Sequence, residues 1–343
     1  MRSPITTAGA PAVTPERIMQ FAWGYIPPLA MEAAIRNHVF DVLDSGAMTL
    51  AEVAAATGAS TRGLSAVMNA LVGLELLAKD DSGLYSLTPE SSLFLVRSKP
   101  SFQGGIILHT SEQLLPKFLN LNQIVATGKP ANHVNQESDG GEFFRQFVVD
   151  IFPMSYPATQ ALAASLGLSA ASAPVRVLDL AAGSGVWGIG LAQRSPHVSV
   201  TAVDWPEVLP ITQETVARFG LTGRFTFAPG DLLSADFGSG HNLATLGHIL
   251  HSEGEARSRQ LLARTFSALA SGGTIAIDEF LVNPDRRGPV SGLFFAVNML
   301  VNTDNGNTFS FDEIASWLTD AGFANPRLVP APGPSPLILA NKP

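Results

Sequence analysis

The segment Val177–Gly185, VLDLAAGSG, constrains the fold of this chain more than any other stretch. A short apolar run that ends in an acid and breaks into glycines is typical of a buried parallel strand followed by a tight turn. The next residues, 186–194, have the pattern of a helix, whose first N–H groups would point into the same crevice. Strand, glycine turn and helix together predict a nucleotide-type cofactor site at the carboxyl end of a sheet.

Two kinds of cofactor fit such a turn. Gly183, Gly185 and Gly188 match the fingerprint of dinucleotide-binding sites, and Asp204 follows about twenty residues later. Asp179, however, stands before the first glycine, where a carboxylate would repel a pyrophosphate and attract a cationic amino group. The sequence therefore favours a cationic cofactor without phosphate and leaves a nicotinamide dinucleotide as the alternative.

Three acids stand at the ends of three successive predicted strands. Asp179 ends the first strand, Asp204 follows the second and Asp231 follows the third, so their carboxylates should meet at one edge of the sheet. They would accept hydrogen bonds from an amino group, a ribose diol and an adenine amino group, respectively. S-adenosylmethionine carries all three groups and is the predicted cofactor.

Four further residues have predicted contacts with that cofactor. Gly183 and Gly185 let the backbone approach its methionine part closely. Trp205 directly follows the ribose-binding acid and would pack on the adenine face, and Leu232 would pack beside the same ring.

Composition bounds the class of protein. Apolar residues make up 46% of the chain and charged residues 15%, which supports a sizeable core and excludes global disorder. The net charge of −8, without a basic patch, disfavours a nucleic-acid partner. The lack of cysteine excludes disulfides and thiolate metal sites. Because no stretch resembles a signal peptide or has the length of a membrane span, we expect a cytoplasmic protein without membrane contact.

Residues 48–87 have an organisation of their own. The capping box Thr49–Glu52 opens one short helix, Ser60 caps a second, and a small hairpin follows. Helix-turn-helix followed by a hairpin is the winged-helix pattern. Because the second helix carries a single basic residue, Arg62, we expect subunit association or a pocket lid rather than DNA binding.

From residue 175 onward, predicted strands and helices alternate. This alternation predicts a parallel, doubly wound α/β sheet. The predicted strands are 175–180, 198–203, 225–229, 242–246 and 273–280, the predicted helices are 186–194, 207–219, 254–270 and 311–322, and residues 326–329 and 336–340 are predicted to form a closing hairpin.

A base at the same edge would complete a methyltransferase. Transfer of a methyl group from a sulfonium is an in-line displacement, in which the protein aligns donor and acceptor and controls the proton of the acceptor. For a hydroxyl acceptor a nearby histidine is the natural base. His251 follows the strand 242–246, and Glu279 lies at the end of the next predicted strand, where a carboxylate can orient the imidazole.

Three further histidines have no assigned role. His248 lies at the same sheet edge as the predicted base, whereas His109 and His133 lie in a helical region and would line a substrate pocket. No group of histidines and acids has the spacing of metal ligands, so no metal is predicted.

With these residues the chain resembles the two-domain, plant-type family of S-adenosylmethionine-dependent O-methyltransferases, which also occurs in bacteria. The first motif of that family is similar to Val177–Gly185, its ribose-binding acid to Asp204 and its adenine-binding pair to Asp231-Leu232. Its catalytic histidine is similar to His251 and its supporting acid to Glu279. The resemblance implies a Rossmann-like class I methyltransferase sheet, S-adenosylmethionine as cofactor, and a homodimer formed through an N-terminal winged-helix domain.

The resemblance also implies how the chain is divided. We predict an all-helical or winged-helix dimerisation domain in residues 1–100, a helical connecting region that lines the substrate pocket in 101–170, and the catalytic domain in 171–343. The predicted reaction is O-methylation of a small aromatic or polyketide-like secondary metabolite, with His251 as the general base and S-adenosylhomocysteine as the second product. The segment Leu293–Met299 would suit either a pocket wall for such a substrate or an interface.

The chain departs from the family pattern at three places. Ser252-Glu253 follow the histidine in place of Asp-Trp, Gly247 stands where many members carry a cofactor-contacting Lys, and Gly306–Phe309 lacks the second supporting Glu. These departures leave open a C- or N-methyltransferase of the same fold, in which His251 is not an essential base. A non-enzymatic winged-helix regulator is a further alternative.

Overall fold

The computed structural model describes residues 13–131, 133, 134, 144 and 147–343. The chain divides into two compact units, Met1–Lys99 and Pro100–Pro343. The predicted connecting region, 101–170, lies partly outside the described residues, and its described part belongs to the second unit. The three-part division of the chain therefore stays a prediction.

The described part of the first unit consists of helices and one small antiparallel sheet. The predicted capping box is confirmed, because Thr49 Oγ1 accepts the N–H of Glu52 and Glu52 Oε2 accepts the N–H of Thr49. Ser60 caps the next helix as predicted, and the predicted hairpin follows it. The winged-helix classification itself stays a prediction. The elements are α1 (Glu16–Ala22), α2 (Ile26–Arg36), α3 (Val39–Leu43), α4 (Leu50–Thr57), α5 (Thr61–Gly73), β1 (Leu77–Lys79), β2 (Tyr85–Leu87) and α6 (Pro89–Phe94).

A seven-stranded sheet organises the second unit. Its strands are β3 (Val175–Leu180), β4 (Val198–Asp204), β5 (Phe225–Pro229), β6 (His241–Gly247), β7 (Leu269–Asp278), β8 (Ala324–Val329) and β9 (Leu337–Asn341). Their order is β5-β4-β3-β6-β7-β9-β8, with parallel pairing from β5 to β7 and antiparallel pairing through β9 and β8. The predicted doubly wound, Rossmann-like sheet and its closing hairpin are confirmed.

The strand order reverses at β3. The chain runs outward from β3 through β4 and β5 and then returns to β6 on the other side of β3. The connections that follow β3 and β6 therefore leave in opposite directions, which opens a crevice above the carboxyl ends of these two strands. Asp179 of β3 pairs in register with Thr245 of β6 directly below that crevice.

Helices cover both faces of the sheet. The central strand residues Val177, Leu178 and Leu180 are fully buried, as expected for a parallel strand that is covered on both sides. No described helix is both long and apolar enough to cross a bilayer. The helices are α7 (Gly104–His109), α8 (Leu115–Phe118), α9 (Leu121–Thr127), α10 (Phe152–Ser165), α11 (Val186–Arg194), α12 (Leu209–Arg218), α13 (Leu250–Ala268), α14 (Val290–Asn302) and α15 (Phe311–Asp320).

Three differences from the predicted elements matter for the site. Helix α13 begins at Leu250, and Gly254, with a φ of 71°, interrupts it, so that His251 lies in a turn before the kink. Strand β7 ends at Asp278, which makes Glu279 the first residue after the strand. Helix α14 was not predicted, because the continuous apolar run within Leu293–Met299 lacks the period that identifies a helix.

Helix α10 packs on α11 so closely that the side chain of Thr159 occupies the space beside the backbone of Gly190. A Cβ at Gly190 of α11 would overlap with the hydroxyl and Cβ of Thr159 on α10. We expect Gly190→Ala to lower the free energy of unfolding of the second unit by about 1–3 kcal/mol, because one helix must shift to admit the methyl group. Urea unfolding followed by circular dichroism measures this effect.

Gly223→Ala is the matched control, since no atom lies within 4 Å of the corresponding Cβ. If Gly190→Ala is as stable as this control, the close approach of α10 and α11 is wrong.

Candidate functional site

Two carboxylates hold the glycine turn that follows β3. Asp204 Oδ2 accepts the N–H of Gly183 at 2.7 Å, and its Oδ1 accepts the N–H of Trp205 at 2.7 Å. Asp179 Oδ2 accepts the N–H of Gly188 at 3.0 Å. Gly183 and Gly185 have φ values of 55° and 77°, a left-handed conformation that residues with a side chain rarely adopt. The turn is thus tied to the ends of β3 and β4 by side-chain acids.

Asp179 has no contact with the crevice. It is fully buried, and its second oxygen, Oδ1, accepts the hydroxyl of Thr245 at 2.7 Å. Burial raises the pKa of Asp179 to about 7, although the hydrogen bonds from Thr245 and Gly188 oppose this shift. Asp179 is thus held by the protein through both oxygens and does not border the cavity, and the predicted contact between Asp179 and a cofactor amino group stays a prediction.

A cavity of about 370 Å³ lies above the carboxyl ends of the strands. Asp204 borders this cavity, and burial raises the pKa of Asp204 to about 6 against the opposing hydrogen bonds from Gly183 and Trp205. Gly185, in the same turn as Gly183, does not border the cavity. The predicted cofactor-binding residues that line the cavity are Gly183, Asp204, Trp205, Asp231 and Leu232.

Asp231 has a cationic partner that the sequence did not predict. Arg257 Nη2 donates to Asp231 Oδ2 at 2.6 Å, and Arg257 Nε donates to Glu253 Oε2 at 2.6 Å. The N–H of Leu233 donates to the other oxygen of Asp231. Leu232 is buried beside this pair, so the acid and the apolar side chain border the cavity together.

Glu279 holds the ring of His251. His251 Nδ1 lies 2.6 Å from Glu279 Oε1, and the backbone N–H of His251 donates to Glu279 Oε2 at 3.1 Å. Because the ionised carboxylate only accepts, Nδ1 must carry the proton, which leaves the lone pair of a neutral ring on Nε2. The ring borders the cavity and lies edge-on to Phe295 at 4.8 Å. The predicted neighbours His251 and Glu279 are therefore brought together.

Burial would raise the pKa of Glu279, but the neighbouring imidazoles of His251 and His248 hold that pKa below its usual range. Glu279 is fully buried and also accepts the N–H of Phe280. It is thus an ionised support beneath the ring of His251 and does not itself border the cavity.

The other histidines differ in position. His109 is buried, borders the cavity, and has its ring 4.4 Å from that of Phe147, and burial lowers the pKa of His109 to about 4. His133 pairs with Asp304 at 2.9 Å and does not border the cavity. His248 borders the cavity next to His251. The structure thus brings His109, but not His133, to the predicted pocket.

One end of the cavity presents an oriented amide. Lys117 Nζ donates to Asn302 Oδ1 at 3.1 Å, and Asn302 Nδ2 donates to Asn298 Oδ1 at 2.9 Å. Because an ammonium can only donate, it fixes the orientation of both amides, and the NH₂ group of Asn298 remains as a donor where Asn298 borders the cavity. Phe295 and Met299 on the same helix also line the cavity, so part of Leu293–Met299 is a pocket wall.

The indole of Trp187 explains one departure from the family pattern. Trp187 is buried at the start of α11 and borders the cavity. A Cβ at Gly247 would overlap with its Nε1 atom. The sequence could not indicate this pair, because the two residues lie on different elements and only packing brings them together. Position 247 therefore excludes any side chain while Trp187 stands opposite.

Family models match the chain in two parts. The O-methyltransferase dimerisation domain matches residues 19–97, and the O-methyltransferase domain matches residues 158–324. The chain is 32% identical to 3-hydroxy-5-methyl-1-naphthoate 3-O-methyltransferase of Streptomyces sahachiroi, over 92% of this chain and 91% of that protein. It is 28% identical to tetracenomycin polyketide synthesis 8-O-methyl transferase TcmO of Streptomyces glaucescens, over 96% and 97%. It is 25% identical to N,N-dimethyltransferase OxyT of Streptomyces rimosus, over 93% of each.

Solved structures have the same fold. A candidate O-methyltransferase from Nostoc punctiforme PCC 73102 superposes with a TM-score of 0.88 at 28% identity, over 96% of this chain and all of that one. Human N-acetylserotonin methyltransferase, solved with S-adenosylmethionine, superposes with a TM-score of 0.82 at 24% identity, over 98% and 99%. The sheet is therefore the class I methyltransferase sheet that the resemblance implied.

The raised pKa of Asp179 predicts a pH-dependent stability. The pKa is about 7 in the folded protein and lies near 3.8 without its surroundings, so the stabilisation from protonation is present at low pH and is lost as pH rises through 7. Asp179→Asn removes this titration. From pH 5 to pH 8, we expect the free energy of unfolding of the wild type to fall relative to that of the variant. Urea unfolding at each pH measures the difference, and parallel pH dependences would contradict the burial of this acid.

Proposed function

The chain belongs to the two-domain family of O-methyltransferases, and we propose that it methylates a hydroxyl group of a small aromatic metabolite, with His251 as the base. The enzyme is an S-adenosylmethionine-dependent methyltransferase. The observation that carries the proposal is the pairing of His251 Nδ1 with the buried carboxylate of Glu279 beside a cofactor-sized cavity.

The residues around the glycine turn fit the methyl donor. When bound, S-adenosylmethionine supplies an electrophilic methyl group on a sulfonium. Asp204 borders the cavity with a carboxylate whose position the N–H groups of Gly183 and Trp205 fix, and we assign it to the ribose hydroxyls. Trp205 and Leu232 offer apolar surface beside it for the adenine. We assign Asp179 to the support of the turn rather than to the donor.

His251 then controls the proton of the acceptor. Its Nε2 lone pair takes the proton of the hydroxyl group as the oxygen attacks. Glu279 keeps the ring in the required tautomer through Nδ1 and stabilises the positive charge that the ring acquires. The protein otherwise contributes alignment, because a sulfonium is already a good leaving group.

The walls of the cavity favour a flat, apolar acceptor. Phe147, Phe280, Phe295 and Met299 supply aromatic and apolar surface, and Asn298 adds one oriented donor for a second oxygen of the substrate. An aromatic or polyketide-like phenol has this combination of features. One relative is named for a naphthoate substrate, and another for the synthesis of the polyketide tetracenomycin.

We also propose that the enzyme is a homodimer. The first unit matches the family's dimerisation domain, and Ile18, Phe21, Trp23 and Tyr25 each expose more than half of their surface. Exposed apolar side chains of this size are typical of a surface that contacts another protein. A cytoplasmic location is proposed with it and rests on the sequence alone.

A second candidate function is methyl transfer to nitrogen or carbon. Thr308 lies in the stretch where the family usually has its second supporting Glu, and its hydroxyl donates to the carbonyl of Gly292 instead of supporting His251. One relative is an N,N-dimethyltransferase. With only one supporting acid, His251 is a weaker candidate for a base. An acceptor nitrogen or carbon that is already nucleophilic does not need a base to remove its proton.

The variant His251→Ala separates the two functions. For a hydroxyl acceptor we expect turnover to fall about 10²-fold or more, because the proton has no base, while the affinity for S-adenosylhomocysteine is unchanged. Labelled S-adenosylmethionine with a panel of naphthols, hydroxynaphthoates and hydroxyanthraquinones measures turnover, and calorimetry measures affinity. His133→Ala is the control, since His133 lies outside the cavity. Substantial turnover in His251→Ala would show that His251 is not an essential base, as the alternative of a nitrogen or carbon acceptor requires.

A further inference from the structure

A second imidazole, that of His248, lies beside the pair formed by His251 and Glu279. His248 follows β6 and has a φ of 56°, a left-handed conformation that is uncommon for a residue with a side chain. Its backbone N–H donates to the carbonyl of Asp278 at 2.8 Å, which anchors the residue to the end of β7. Only 10% of its side-chain surface is exposed. The fold thus holds this ring in place at the edge of the active site.

Both nitrogens of the His248 ring face acids. Nε2 lies 3.3 Å from Asp278 Oδ2, and Nδ1 lies 3.9 Å from Glu279 Oε1. Nδ1 has no hydrogen-bond partner among the described residues, and 3.9 Å is an ion-pair distance rather than a hydrogen bond. Only a charged imidazolium is therefore stabilised by both acids. The arrangement of the two carboxylates therefore suits the charged form of His248. Burial alone would lower the pKa of His248, but the charges of Asp278 and Glu279 raise it to about 10.

His248 offsets part of the negative charge of a buried group that also contains Asp278, Glu279 and His251. Asp278 and Glu279 are both almost fully buried, and each contributes one negative charge when ionised. His248 offsets one of them. The group of four side chains, including His251, then carries one net negative charge while His251 is neutral and none after His251 takes a proton. Without the charge of His248, the two buried acids would leave a second uncompensated negative charge in this group.

We propose that His248 is a positioning residue, a fixed cation that balances Asp278 and Glu279 so that His251 stays neutral and ready to accept the proton of the substrate. This inference rests on the proposed function, in which His251 is the base.

The other groups that face this cluster do not supply the missing charge. Ser335 Oγ lies 3.4 Å from His248 Nε2 and is uncharged, and Phe280 packs against the His248 ring at 4.7 Å. Glu253 lies on the His251 side, where Arg257 donates to it at 2.6 Å. Among the residues that the structure describes here, His248 is thus the cation nearest to Glu279 apart from the base itself.

The test compares a neutral and a charged replacement through the pH profile of kcat/KM. In His248→Gln, we expect the acidic limb of the profile to move up by about one pH unit or more, with about a tenfold loss at pH 7 that higher pH restores. In His248→Arg, which keeps a cation, the limb should stay near that of the wild type. Ser335→Ala is the control and should leave the limb in place.

Two results overturn the proposal. One is a His248→Gln variant with lower kcat but an unmoved limb, which indicates a structural role alone. The other is an equal shift in His248→Gln and His248→Arg, which indicates that charge is not the cause.

The protonation state of His248 can also be measured in the wild-type protein, which does not depend on the folding of a variant. Long-range ¹H–¹⁵N NMR of histidine-labelled protein should find that both nitrogens of the His248 imidazole carry protons at pH 8. The signal of His248 is identified by its absence from His248→Gln or through its contact with Phe280. A neutral His248 tautomer at that pH overturns the proposal. If the wild type has no acidic limb, or if His251→Ala keeps it, the proposed base is wrong, whereas the NMR result still reports the charge of His248.

Discussion

The site depends on two carboxylates that accept backbone N–H groups of the glycine turn and of the first turn of α11. Asp204 binds the N–H of Gly183, and Asp179 binds the N–H of Gly188 and the hydroxyl of Thr245 on the neighbouring strand. These bonds satisfy donors that would otherwise need water, and they fix the path of the turn before any ligand binds. Because β3 lies where the strand order reverses, the turn faces the residues that follow β6 and β7. The glycine turn and His251 therefore border the same crevice.

The acids at this edge of the sheet differ in charge because their surroundings differ. Burial favours the protonated form of Asp179, whose pKa rises to about 7, whereas Arg257 pairs with Asp231 and two imidazoles keep Glu279 ionised. One fold can thus assign one carboxylate to structural support, another to binding and a third to the support of a base. Residue type alone does not separate these roles.

The sequence predicted what local pattern determines. The bounds of β3 and α11 agree with the prediction because an apolar run, a glycine turn and a helical period lie next to each other in the chain. The prediction was incomplete where distant residues meet. Helix α14 and the contact of Trp187 with Gly247 follow from packing between separate elements, which a single sequence does not display. The hydrogen bond between Asp179 and Thr245 was not predicted for the same reason, since Thr245 belongs to another strand.

The affinity of the Asp204→Ala variant for S-adenosylhomocysteine tests the account most directly. Asp204 borders the cavity and also holds Gly183, so its loss removes both the proposed contact with the ribose and the support of the turn. Calorimetry on the folded variant should find binding at least about tenfold weaker than in the wild type, which corresponds to about 1.4 kcal/mol. Glu207→Ala, an exposed acid three residues later, should bind as the wild type does. Wild-type affinity in a folded Asp204→Ala variant would contradict the donor site described above.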